Sequence, residues 1–148
     1  MNERHEWPRS APVTILLLNP PVSDLSVLIA SAKPELIPGE FVFVCLTDSD
    51  QVAALNPLCV FQEAEGTTAI CSLEMAESRG YPYSGVFRRI TLTVHSSLEA
   101  VGFLAAVAGA LAAEGIPCNA VSAYRHDHLF VPSRSAEKAL EVLSRLSA

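Results

Sequence analysis

Charge is scarce in this sequence: 18 % of its 148 residues are Asp, Glu, Lys or Arg, and ten basic residues stand against sixteen acidic ones. Nucleic-acid affinity rests on clustered Lys and Arg, so no nucleic-acid partner is expected. Cys-x-x-Cys pairs are absent. Cys45, Cys59, Cys71 and Cys118 each sit alone within apolar runs, which suggests neither a zinc knuckle nor a dithiol redox pair. Four reduced, buried thiols acting as small hydrophobes are the expectation. No apolar run reaches the ~20 residues that span a bilayer. The run over residues 13–18 stops at Asn19-Pro20-Pro21, and the alanine-rich stretch 98–113 is interrupted by Glu99. The first ten residues lack the basic-then-apolar layout of a secretion signal, which points to a cytoplasmic protein without a membrane partner. A Walker loop, a Gly-x-Gly-x-x-Gly fingerprint and a Gly-x-Ser-x-Gly elbow are also missing. Neither a cofactor nor a resident metal is expected, and no catalytic residue stands out.

What is present is apolar: half of the residues are hydrophobic, which argues for a packed globule. The first half reads as short elements. Residues 13–18 have the character of a buried strand, and Asp24 can cap a helix carrying Leu25, Leu28, Ile29 and Ala32 at helical spacing. Pro34 and Pro38-Gly39 then interrupt the pattern. Residues 41–46 form an unbroken apolar run of strand length, and residues 59–61 and 67–71 suggest two more strands joined through a turn at Gly66. A short helix over residues 73–79 ends at Gly80, and residues 81–85 read as a linker.

The second half is cleaner. Residues 89–95 alternate, with Ile90, Leu92 and Val94 on one face. Ser96-x-x-Glu99 has the form of a capping box opening a helix with Leu98, Val101, Leu104, Ala105, Ala108, Leu111 and Ala112 inward, ending at Gly115. A strand over residues 118–124, a tight turn over 125–127 with Asp127 at its tip and a returning strand over 128–131 follow. Ser135 caps a last helix with Ala139, Leu140, Leu143 and Leu146 inward. The order strand-helix-strand-strand-helix occurs roughly twice, an internal repeat of a split β-α-β arrangement.

Residues 90–103, then Gly115-Ile116-Pro117 with Cys118–Val121, then His126-Asp127-His128 with residues 129–132, resemble ACT domains. Glu63-Ala64-Glu65-Gly66-Thr67-Thr68 fits the same group. The chain is similar to the small bacterial tandem ACT-domain proteins that are akin to the regulatory part of aspartokinase. The resemblance implies an α+β chain of two ferredoxin-like (βαββαβ) ACT-type units, 13–84 and 85–148, with antiparallel sheets and helices packed on one face. The fourth strand of the usual unit is missing after Leu146, and Ser96-Ser97 stand where a Pro-Gly pair often opens the first helix.

Three constellations could carry chemistry. The turn His95-Ser96-Ser97, with Gly102 beyond it, would place hydroxyls and free N–H groups at a helix start, a setting that suits a carboxylate. The bland reading is a helix cap and a packing glycine. His126-Asp127-His128 with His95 could chelate zinc, and Glu63 or Glu65 could act as a base or hold an amino group. Ordinarily the first is a polar β-turn and the second a solvated strand edge. The resemblance implies that an amino acid binds at the His95–Gly102 turn, faced by Asn119, Ala120 and Val121 of a neighbouring unit, in a homodimer without catalytic activity. A small metal-dependent enzyme using His95, His126 and His128, or a ligand-free dimerisation scaffold, are the alternatives.

Overall fold

The computed structural model describes residues 20–48 and 50–148, so the strand expected over residues 13–18 lies outside the described residues. Strands form where β-branched and aromatic residues alternate or run unbroken. β1 (Pro34–Leu46), β2 (Cys59–Gln62), β3 (Thr67–Ser72), β4 (Phe87–Leu92), β5 (Asn119–Ser122) and β6 (Asp127–Pro132) make one sheet in the order β2-β3-β1-β4-β6-β5. Every pairing in it is antiparallel. The alternation expected for β4 holds, since Ile90, Leu92 and Val94 all enter the core.

Strand β1 departs from expectation. Pro34 and Pro38-Gly39 do not interrupt it; they divide it. Pro34–Ile37 pairs with β4 from Leu92 to Arg89, while Phe41–Leu46 pairs with β3 from Ser72 to Thr67. The register shifts between Ile37 and Phe41. There Pro38 offers no N–H to a ladder and Gly39 takes a φ of +98°, both tolerated at an irregularity and not within a regular strand. Residues 34–37 therefore flank β4 on the side opposite β6. They stand where the fourth strand of a second βαββαβ unit would lie.

The helices cover one face of the sheet. α1 (Leu25–Ala30) is capped by Asp24, whose carboxylate accepts from the Val27 N–H at 3.0 Å. α2 (Asp50–Ala54) had no sequence signal. α3 (Leu73–Ser78) is capped by the Ser72 hydroxyl. α4 (Phe103–Ala113) and α5 (Ala136–Leu146) are the long ones, and α5 follows a 3-10 turn over Ser133–Ser135. Ser135 stands at the cap position of α5, but its side chain makes no capping bond. On α5, Ala139 and Leu143 are buried as expected, joined by Ala136 and Val142.

The start of α4 corrects the capping-box reading. Its N-cap is Gly102, and residues 96–101 are not helical. The buried face is therefore Phe103, Val107 and Leu111. Leu98 and Val101 are exposed, as are Ala105, Ala108 and Ala112. One large apolar side chain every fourth residue sets the helical phase more strongly than the alanines between. The thiols are free, but only Cys71 is fully buried; Cys59 and Cys118 are half-buried and Cys45 is exposed.

Two cores lie under the helices. The larger joins Leu28, Ile90, Leu92, Phe103, Leu111 and Leu129 with α5; the smaller gathers Val42, Val44, Leu46, Leu55, Ala69 and Cys71. The other face of the sheet carries an aromatic cluster around Phe41, Ile70 and Phe130.

Candidate functional site

The chain leaves β4 at Leu92 and enters α4 at Phe103, and the passage between, residues 93–102, is built without a helix or strand of its own. Backbone pairing holds it instead. Val22 forms a parallel bridge to Ser96, with the Val22 N–H on the His95 carbonyl and the Ser97 N–H on the Val22 carbonyl, both at 2.8 Å. The Thr93 N–H reaches the Ala32 carbonyl at 2.8 Å. The Ser97 hydroxyl accepts from the Glu99 N–H at 3.2 Å, closing a local turn. The passage ends at Gly102, whose φ of +91° lies in the left-handed region that only glycine takes without strain.

Asp127 faces this passage. It is not the tip of a turn: the turn runs through residues 123–126, closed by the Ala123 N–H on the His126 carbonyl, and Asp127 begins β6. Its register puts it on the core face with Leu129 and Val131, and it is only 5 % exposed. The Ser96 hydroxyl donates to one carboxylate oxygen at 3.1 Å and the Ser122 hydroxyl to the other at 2.7 Å. Among the described residues no Lys, Arg or His forms an ion pair with it. A buried carboxyl group held by two neutral hydroxyls keeps acceptor lone pairs for a further donor.

A cavity of about 170 Å³ opens between these parts, lined by Ser96, Ser97, Gly102, Phe103, Ser122 and Asp127. Leu104 and Ala105, in the first turn of α4, also line it. The first intrahelical bond runs from the Ala106 N–H to the Gly102 carbonyl, and no side chain caps the helix. The N–H groups of that first turn and the positive end of the helix dipole thus adjoin the cavity. One wall offers N–H donors; the other carries the acceptor oxygens of Asp127.

Of the residues singled out by sequence, the structure brings Ser96, Ser97 and Gly102 to this cavity, with His95 beside it, its ring 6.2 Å from that of Tyr124. It does not bring Asn119, Ala120, Val121 or Glu65. Asn119 lies at the far end of β5, its side-chain amide on the Phe130 carbonyl at 3.3 Å, and Ala120 is exposed on the same edge strand. Val121 packs on the helix-free face. Glu65 is exposed in the β2–β3 turn at the other end of the sheet, and Glu63 accepts from the Thr68 hydroxyl. Asp127 and Ser122 are the functional residues that sequence reasoning missed. The signal for Asp127 was its two-residue spacing from Leu129 and Val131.

The histidines diverge. His126 Nδ1 lies 3.2 Å from the Val94 carbonyl, while His128 Nδ1 lies 2.9 Å from the Thr91 hydroxyl. Burial, and next the Arg89 charge, hold the His128 pKa below the ordinary histidine value. Among the described residues no group of three or more His, Cys, Asp or Glu is placed to hold a metal ion.

Comparison with known proteins agrees with this architecture. Two ACT-domain profiles match in tandem, over residues 20–88 and 87–145. A Vibrio cholerae protein of unknown function is 40 % identical, with 84 % of this chain and 96 % of that one aligned at a TM-score of 0.77. An Agrobacterium tumefaciens protein, 18 % identical, aligns over 77 % of this chain and 87 % of its own at 0.65. The regulatory subunit of aspartate kinase from Thermus flavus, 13 % identical, aligns over 80 % and 99 % at 0.57, a likeness of fold. No functionally curated protein matches. ACT domains are regulatory, ligand-binding modules that bind small molecules and often dimerise. Two such units in tandem, similar in fold to the regulatory part of aspartokinase, place this chain in the ACT-domain family.

Proposed function

We propose that this chain is a regulatory module without catalytic activity of its own, and that it holds a free amino acid in the cavity between residues 93–102 and Asp127. The observation that carries this is the pairing of two poles in one small space. The uncapped first turn of α4 suits an α-carboxylate, and the buried Asp127 carboxylate suits an α-ammonium. At about 170 Å³ the cavity is smaller than the ~300–1,000 Å³ of clefts for larger organic ligands, which favours a ligand of few atoms. Leu98, Ala100 and Phe103 supply an apolar wall, so a small uncharged side chain fits best. Asn119 and Ala120, on the edge strand β5, complete the site from a second copy in a homodimer, while Val121 packs on the other face of the sheet. Binding then acts through the pairing of copies or through a downstream protein.

Thermal unfolding against the proteinogenic amino acids tests the reading. A ligand at 100 times its dissociation constant stabilises the fold by about 2.7 kcal/mol. The expected result is an upward shift with one or a few small neutral amino acids, lost in Asp127→Asn. A flat panel, or a shift that survives Asp127→Asn undiminished, contradicts it.

A further inference from the structure

The face of the sheet that carries no helix among the described residues is unlike a solvated surface. Phe41, Phe43, Phe87 and Phe130 meet edge to face with ring centroids 5.3 to 5.9 Å apart. Phe130 is 2 % exposed although, among the described residues, no helix packs on this cluster. The sheet curls over this cluster. Leu58 and Cys59, at the start of one edge strand, and Val121, Ser122 and Ala123, at the end of the other, line a single cavity of about 280 Å³ together with Arg89, His128 and Phe130.

Arg89 is the charged group in that cavity. Its guanidinium carbon stands 5.4 Å from the centroid of the Phe41 ring, and its Nε is buried without a hydrogen-bond partner. Among the described residues no carboxylate forms an ion pair with it. Glu35 shares its face of the sheet, opposite Thr91 in the register, but is exposed. A buried guanidinium donor without an acceptor is destabilising unless an anion meets it. His128 adds a second donor. When the Thr91 hydroxyl donates to Nδ1, the ring proton sits on Nε2. The depressed His128 pKa agrees with a neutral ring beside a cation.

We propose that this cavity is a second binding site, for a small organic anion with an apolar body. The anionic head meets Arg89 and His128, and the body lies against Phe130, Val121 and Leu58. A zwitterion is disfavoured, because among the described residues no carboxylate lines the cavity to receive an ammonium group. The site does not rest on the amino-acid reading. Asp127 and His128 are consecutive on β6 and face opposite sides of the sheet.

Benzoate and hexanoate are the probes, with benzyl alcohol and hexanol as uncharged counterparts, and the readout is two-dimensional NMR of the full chain. Benzoate is expected to shift the resonances of Arg89, Val121, His128 and Phe130 while leaving residues 96–105 unmoved, and to raise the His128 pKa. Arg89→Met and the alcohols should each weaken binding by roughly tenfold or more, the worth of a charged hydrogen bond. Asp127→Asn should leave it intact. If Arg89→Met does not fold, Val121→Phe, which fills the cavity, should abolish the shifts. Equal binding of the alcohols, undiminished binding in a folded Arg89→Met or in Val121→Phe, or no shift at millimolar benzoate would overturn the proposal.

Discussion

The two halves of the sheet repeat one strand plan with unequal means. The strands β2-β3-β1 on one side and β5-β6-β4 on the other mirror each other about the β1–β4 ladder. Over the first half lie helices of five and six residues; over the second lie two of eleven. The passage from strand to first helix differs in the same sense: residues 47–49 bridge β1 to α2, whereas residues 93–102 bridge β4 to α4. The longer one borders a cavity, and the buried carboxylate that faces it has no counterpart among the described residues of the first half. Long helices supply the core that can hold a buried charge. The difference places the larger core and the proposed ligand site in the second unit, while the first lends it a strand and an aromatic floor.

Core truncations should expose this asymmetry most strongly. Leu129→Ala removes a side chain that is 0 % exposed at the centre of the larger core and should cost about 2–5 kcal/mol in denaturant unfolding. Leu55→Ala, beside the five-residue α2, should fall near the low end of ~2–5 kcal/mol because a short helix can settle into the space. Equal losses would erase the distinction.

Next in size is Asp127→Ala. Two hydroxyls lose their acceptor, and about 1–3 kcal/mol should go with them. Hydrogen exchange should quicken across residues 93–102 more than over residues 47–55, since Ser96 is tied to Asp127 directly.

Two glycines sharpen the comparison within α4 itself. Gly102→Ala should destabilise by roughly 1–3 kcal/mol, because φ is +91° and the new Cβ would stand 3.3 Å from Leu25 Cδ2. Gly109→Ala, with nothing within 4 Å, should instead stabilise the helix by roughly 0.5–1 kcal/mol. Opposite signs in paired melting curves are the expected result.

The smallest effect concerns pH. The His128 pKa is lowered in the folded state, so between that value and the ordinary histidine pKa the unfolded chain binds more protons. The stability difference is held above the ordinary value and declines as pH falls below it. Unfolding titrations of His128→Gln should show a shallower decline than the wild type.

The legible parts of the sequence were those with strong periodicity. The β4 alternation, the Asp24 cap, the Gly66 turn and the repeated split β-α-β order followed from local pattern, and the ACT plan from resemblance. β1 was misread because a proline is a breaker only where its N–H would be used, and Pro38 falls where neither neighbour pairs. α2 was invisible because five residues carry too little amphipathic pattern to register. The α4 start was misplaced because Ser96 and Glu99 satisfy the capping-box spacing, while the Ser96 hydroxyl is drawn to Asp127, distant in sequence. For the same reason the site was half legible: Ser96, Ser97 and Gly102 are neighbours in the chain, and Asp127 and Ser122 join them only through the β4–β6–β5 pairing.

The most direct measurement is an NMR map of the amide shifts produced by whichever amino acid raises the melting temperature, in wild type and in Asp127→Asn. The expected result is a footprint on residues 96–105, Ser122 and Asp127, absent from the equivalent 47–55 region of the first half and lost in the variant. Shifts centred on the first half, or a footprint unchanged by Asp127→Asn, would contradict the assignment of the ligand to the buried carboxylate of the second unit.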